Sequence, residues 1–472
     1  MSSDLALMPA HELVKLYKRK KASPVEATKA ALARTERFNP VLNVFQHLDA
    51  EGALKAAKAS ERRWNKGSPA GPVDGVPVTL KDVLQTKGMP TLYGSRANDP
   101  AGPWTYDCPS AARLRESGAV FLGKTTSPEY GWKGVTDSPL FGITRNPWDI
   151  HKTPGGSSGG AAAATAVGIG NLSLGSDGAG SIRIPSAFTG LVGLKATFGR
   201  VAAYPASAMG TLSHVGPMTR NVRDAALLMN VVGRPDPRDP YSLVPGGESD
   251  DFAKGIDKGV KGLRIAYSRT LGFVRPDEID PEVAASVDKA AKTLKKLGAT
   301  VVEVEPTVTV DPRDIINVLW QAGASTLVNK FAAEKRALMD PGLLKSVAIG
   351  ARHSTERYIL VAQARDTLAA AFGEFMDGYD LLISPTMPMP ALDVLRNAAH
   401  GGDGTDIAWT PFTFFFNLTR NPAATVPCGL TKAGLPIGLQ IVGKYYAEAL
   451  ILRAAQAFED ATSIGLPPMA TT

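Results

Sequence analysis

The residues of this chain whose types and spacing could do covalent chemistry are a lysine and two glycine clusters that carry serines. Residues 155–160 read GGSSGG and enclose Ser157 and Ser158; residues 175–183 read GSDGAGSIR and carry Ser181, 24 residues after Ser157. Glycine costs backbone entropy, so this density points to unusual dihedrals or to close approach of backbone to another group. The alanine-rich run 161–167 predicts a helix that begins just after the first cluster. Both early serines then lie near a helix N-terminus, where free N–H groups favour negative charge. The second cluster can turn successive N–H groups toward one point, as an oxyanion requires. Lys81 follows the apolar run 78–80, which reads as a short buried strand. Burial there lowers a lysine pKa, and a neutral lysine accepts a proton near pH 7. On residue type alone a single lysine reads as surface; the paired serine motifs reverse that.

These motifs resemble the amidase signature family, whose pattern is GGSSGG followed by a serine inside GS-D-x-G-G-S-I-R. Ser157 and Ser181 match it at the family's interval, and GVPVTLKD at 75–82 is similar to the family's lysine motif. The likeness runs through residues 10–235 and 375–460, with three separated motifs in the family's order. It implies a Ser–Ser–Lys triad: Ser181 as nucleophile, Ser157 as proton relay in a cis peptide bond, and Lys81 as base. It implies an oxyanion hole of backbone N–H groups from Gly178, Ala179, Gly180 and Ser181. Asp177 and Arg183 flank the nucleophile and read as partners holding its loop, with Ser158 in support. The likeness also implies that Tyr130, Gly131 and Trp132 border the substrate pocket. Two departures stand out. Ala179-Gly180 replaces the usual Gly-Gly, which trims space beside the oxyanion, and Gly178 stands where Thr is frequent. Both bear on substrate size and leave the catalytic groups intact.

Elements of both kinds surround these motifs. Helices are expected over 4–38, 50–66, 109–117, 222–231, 281–297 (N-cap Asp280) and 447–458. Strands are expected at 263–267, 300–304, 379–384, 421–428 and 434–443. The strand–helix–strand unit 263–304 predicts a right-handed parallel crossover. The expected fold is α/β: a single large domain, residues 1–472, with a twisted mixed β-sheet covered by helices on both faces. Its parts are N-terminal helices at 4–66, a catalytic core at 71–232, a variable, mostly helical, pocket-shaping region at 307–378, and C-terminal strands and a helix at 379–460. Residues 234–261 and 401–407 read as irregular loops.

Composition is that of an ordinary globular protein, with 44% hydrophobic and 21% charged residues. The net charge of +7 is modest and spread out, apart from KLYKRKK at 15–21, which reads as a solvated helix face. Two cysteines in 472 residues rule out a disulfide scaffold and suit a reducing, cytoplasmic compartment. Neither a signal peptide nor a membrane span is expected.

Other patterns compete and are set aside. GAVFLGKT at 118–125 fits a Walker A expression, but its interior reads as a buried strand. Ser286-Val-Asp-Lys289 fits SxxK but sits mid-helix, where a solvated face is expected. GGSSG also fits GxSxG, so an α/β-hydrolase-type esterase with Ser157 as nucleophile is one alternative. Its downstream histidines are His214, His353 and His400, while His11, His47 and His151 read as structural. The other alternative is the glutamine-hydrolysing subunit of a tRNA-dependent amidotransferase; such members usually have Gln where this chain has Ile184.

The favoured function is hydrolysis of a linear amide through an acyl-enzyme, as in an acylamidase. Trp132, Phe412, Phe414, Phe415 and Phe416 favour an aryl or hydrophobic acyl amide, with carbamates and esters also open. No cofactor or metal is expected. The expected partners are a small-molecule amide and water, without nucleic acid or membrane; many relatives dimerise, which leaves a homodimer open.

Overall fold

In the computed structural model, which describes residues 4–242, 251–399 and 402–471, the strands fall into one large sheet and one short hairpin. The first half of the chain contributes β1 (Phe45–Leu48), β2 (Pro77–Lys81), β3 (Val120–Thr125), β4 (Asp137–Ser138), β5 (Gly142–Ile143), β6 (Leu172–Asp177), β7 (Val192–Lys195) and β8 (His214–Thr219). The second half adds β9 (Arg264–Tyr267), β10 (Thr300–Glu303), β11 (Leu381–Pro385), β12 (Ala423–Leu430) and β13 (Pro436–Gly443). The large sheet runs β1-β3-β2-β6-β8-β7-β12-β13-β11-β9-β10, and β4 pairs with β5 alone. It is mixed: β3, β2 and β6 are parallel, the strands from β6 to β11 pair antiparallel, and β11, β9 and β10 are parallel again. The expected crossover unit is therefore parallel.

Side chains alternate across a strand, so a sheet covered on both faces must send apolar residues both ways. Ile265 and Tyr267 join one apolar cluster while Ala266 joins another; Leu381 and Ile383 divide from Leu382 in the same manner. Helices Val222–Val232, Pro281–Lys296 and Glu448–Ala461 supply the first cluster. Helices Pro312–Val328, Thr355–Asp377 and Pro411–Leu418 supply the second.

The sequence rules for helix ends hold locally. Ser23 and Glu26 form a reciprocal capping box with Pro24 at the first turn. Asp280 caps helix Pro281–Lys296 by accepting the N–H of Glu282. One reading is corrected on this helix. Ser286 is half-buried, and its hydroxyl donates to the Cys428 carbonyl of β12 at 3.2 Å, so it faces the sheet. Among the described residues no helix is long and apolar enough to cross a membrane.

Candidate active site

Lys81 ends β2, which pairs with β3 on one side and β6 on the other. Its side chain is fully buried, and its Nζ donates to Ser157 Oγ at 2.7 Å and to Ser176 Oγ at 2.9 Å. Burial disfavours the ammonium form. The Asp177 carboxylate pulls the other way but does not prevail, and the pKa falls from 10.5 to about 7. At neutral pH the group therefore divides between amine and ammonium.

The Gly156–Ser157 peptide is cis. Ser158 is the N-cap residue of helix Gly159–Ala166. Its hydroxyl donates to the Ser176 carbonyl at 3.2 Å and accepts the Ser176 N–H at 3.3 Å. Its own N–H donates to the Ser181 carbonyl at 3.2 Å. The two glycine clusters are thereby laced together, and Ser157, Ser176 and Ser181 line one cavity of about 400 Å³.

The loop after β6 is organised around Asp177. Burial alone would raise this carboxyl. The Arg183 guanidinium, Lys195 and the Asn417 amide overcome that and hold it well below its ordinary value. Arg183 donates to Asp177 through Nε at 2.9 Å and a terminal nitrogen at 3.0 Å, and reaches on to Gln440 at 2.8 Å and Asn417 at 2.6 Å. Asp177 also accepts the Gly180 N–H at 2.7 Å. That bond corrects the expected oxyanion set, because the Gly180 donor points at Asp177 and away from the cavity's chemistry. The N–H groups of Gly178, Ala179 and Ser181 have no acceptor among the described residues. Gly180 itself has φ +125°, and a methyl group there would lie 2.3 Å from Thr413 Oγ1, so only glycine fits.

Tyr130 and Gly131 line the cavity as expected. Tyr130 stacks on Tyr93 with ring centroids 5.6 Å apart and tilts against Phe331 at 5.9 Å. Trp132 does not line it; the ring is buried among Ala324, Met339 and Leu343. Phe414 is also corrected. Phe412, Phe414, Phe415 and Phe416 all lie on helix Pro411–Leu418 and are fully buried, packed with Phe273 and Phe372 behind the site. The polar members of that helix matter to the site instead. Thr413 donates to the Ala179 carbonyl at 2.8 Å, and Asn417 donates to Asp177 Oδ1 at 2.9 Å. Their i, i+4 spacing puts both on one helix face, a signal present in the sequence. Ser176 is a further site residue absent from the expected set, although it stands beside Asp177 in the second motif.

The remaining wall combines apolar and aromatic residues, including Leu84, Met209, Trp320 and Leu327, with the neutral polar Asn98, Ser110, Ser207 and Ser213. Among the described residues no Asp, Glu, Lys or Arg lines the cavity. His214 does, but its ring contacts the Leu212 carbonyl and Lys195 and neither serine. Burial and then Lys195 push its pKa well below the ordinary value. The His353 ring contacts Gln321 in a different cavity, and His400 lies outside the described residues. Lys124 of the rejected phosphate-loop pattern is buried in β3 and donates to Thr91 at 2.6 Å.

The description of the amidase family matches residues 26–452. The chain belongs to the amidase signature family. An acylamidase from Rhodococcus erythropolis is 36% identical, over 93% of this chain and 92% of that one. One of the subunits of glutamyl-tRNA(Gln) amidotransferase from Myxococcus xanthus is also 36% identical, over 93% and 94% of the two chains. Among solved structures, a bacterial aryl acylamidase of the same family superposes with a TM-score of 0.88 at 32% identity, covering 97% of this chain and 96% of that one. This amidase is thus an amidohydrolase of carbon–nitrogen bonds, built on the mixed sheet that its family shares.

Proposed function

We propose that this amidase hydrolyses neutral amides with an aryl or hydrophobic group through a Ser–Ser–Lys relay. The observation that carries the chemistry is the 2.7 Å hydrogen bond from Lys81 to Ser157, made by a lysine whose pKa burial brings to about 7. The Lys81 amine takes the Ser157 proton as Ser157 takes that of Ser181, and Ser181 Oγ bonds to the amide carbon. The N–H groups of Gly178, Ala179 and Ser181 stabilise the oxyanion, and the relayed proton passes to the leaving nitrogen as the C–N bond breaks. Water then attacks the acyl-enzyme, gives its proton to the same relay, and frees Ser181.

The substrate class follows from the wall. Glutamine carries an ammonium and a carboxylate, and burying either without a counter-charge is costly. The described lining offers no charged side chain, while Tyr93, Tyr130 and Phe331 offer ring surface. That supports a small neutral amide with water as the reactants. The likeness to an amidotransferase component keeps a second reading, glutamine hydrolysis in a complex with other subunits.

Release of nitroaniline from a 4-nitroanilide by the purified chain, beside a matched nitrophenyl ester and glutamine, separates these readings. Wild-type anilide turnover lost in Ser181→Ala and Lys81→Ala is the expected result. Turnover surviving in Ser181→Ala overturns the assigned nucleophile. Glutamine cleaved in preference to the anilide favours the second reading.

A further inference from the structure

Trp320 lies on helix Pro312–Val328, far in sequence from the serine motifs, yet its ring reaches the loop after β6. A methyl group on Gly178 would sit 2.9 Å from Trp320 Cζ3 and 3.2 Å from Cη2. The benzo end of the indole therefore rests on the Gly178 backbone. The absence of a side chain at Gly178 leaves that room, and the indole fills it. The other side of the ring is fixed as well. Trp320 Nε1–H donates to the Trp132 carbonyl at 3.0 Å, and Trp132 is itself packed against Gly342. Trp320 lines the cavity that holds Ser157 and Ser181. A tryptophan with two torsions and a satisfied N–H is a rigid wall rather than an adaptable one.

We propose that Trp320 is a specificity-determining residue, admitted by Gly178 and held by Trp132. It limits the size of the carbonyl substituent that lies beside the oxyanion donors, and it favours a short or flat neutral group. The proposal rests on amide hydrolysis at Ser181.

Two ladders of neutral anilides test it, one lengthening the acyl group of 4-nitroanilides from acetyl to decanoyl, the other enlarging the aniline of acetanilides. The enzymes are wild type, Trp320→Ala, Trp320→Phe, Gly178→Thr and the double variant Gly178→Thr/Trp320→Ala, with Tm measured for each. In Trp320→Ala, kcat/KM for the longest member of one ladder should rise roughly tenfold relative to its shortest, with a smaller shift in Trp320→Phe. Gly178→Thr should lower Tm by several degrees, and adding Trp320→Ala should relieve most of that loss, as coupled neighbours do. Unchanged profiles on both ladders overturn the proposal, and so does a Tm loss from Gly178→Thr that is equal in both backgrounds. A wild type that cleaves no member of either ladder refutes the amide reading instead. The Tm cycle then decides the Gly178–Trp320 pairing by itself: relief upholds it and equal losses overturn it.

Discussion

Replacing Lys81 by Met should abolish activity and yet stabilise the fold at pH 6. Lys81 titrates at 10.5 in an unfolded chain and at about 7 in the folded one. Below pH 7 both states are protonated, and the folded state bears the full cost of a buried ammonium. Between pH 7 and 10.5 the unfolded state binds the extra proton, so stability rises with pH until the cost vanishes above 10.5. At 1.36 kcal/mol per pH unit the full cost is about 5 kcal/mol. Methionine removes it and forfeits two hydrogen bonds, to Ser157 and Ser176, worth about 2.5 kcal/mol together. The variant should therefore be about 2 kcal/mol more stable at pH 6, equal near pH 8.5, and about 1–2 kcal/mol less stable at pH 10. Urea denaturation of both proteins at each pH reads this difference directly, because other titrating groups cancel. The wild-type kcat/KM should in parallel rise through an apparent pKa of about 7. A variant less stable than wild type at pH 6, or a difference that is flat from pH 6 to 10, would refute the argument that burial holds this lysine near neutrality.

Three further outcomes follow from the site. Asp177→Asn leaves Arg183 buried without its anion and should cost about 3–5 kcal/mol in urea denaturation; a loss under about 1 kcal/mol would show that Gln440 and Asn417 suffice. Phe415→Ala should cost about 3–5 kcal/mol of stability while leaving KM for a nitroanilide within about twofold, because the ring lies in the core and away from the cavity. Gly180→Ala meets Thr413 and a φ of +125°, so steady-state kinetics should show kcat lowered by about 10²-fold as the N–H groups proposed to hold the oxyanion shift.

Most of the mixed sheet and the residues around Lys81 could be read from the chain, because strand ends, glycine clusters and caps are local signals. Lys81 at the end of an apolar run and the Ser157–Ser181 interval led to one cavity. The misreadings came where a side chain's neighbour decides its role. An apolar cluster such as 412–416 has the same composition whether it walls a pocket or fills a core, and the structure gave it to the core. Trp132 failed for the same reason. The Gly180 N–H could not be separated from its neighbours, since nothing local says which donor Asp177 takes. Ser176 stands inside the second glycine motif, and its role became visible only because the end of β6 turns its hydroxyl to Lys81.

The placement of β12 and β13 in the middle of the sheet, between β7 and β11, has a consequence for how the enzyme is made. Arg183 and its partner Gln440 are 257 residues apart in the chain. A ribosome adding about 5–20 residues per second needs roughly 10–50 s to span that gap. Through that interval the emerging chain already carries Lys81, Ser157 and Ser181, but its growing sheet has an open edge at β7, and Arg183 of the second serine motif lacks its glutamine. Assembly of the hydrolytic site thus waits on the late-made strands, and a nascent chain stalled before residue 423 would present both serine motifs without a working enzyme.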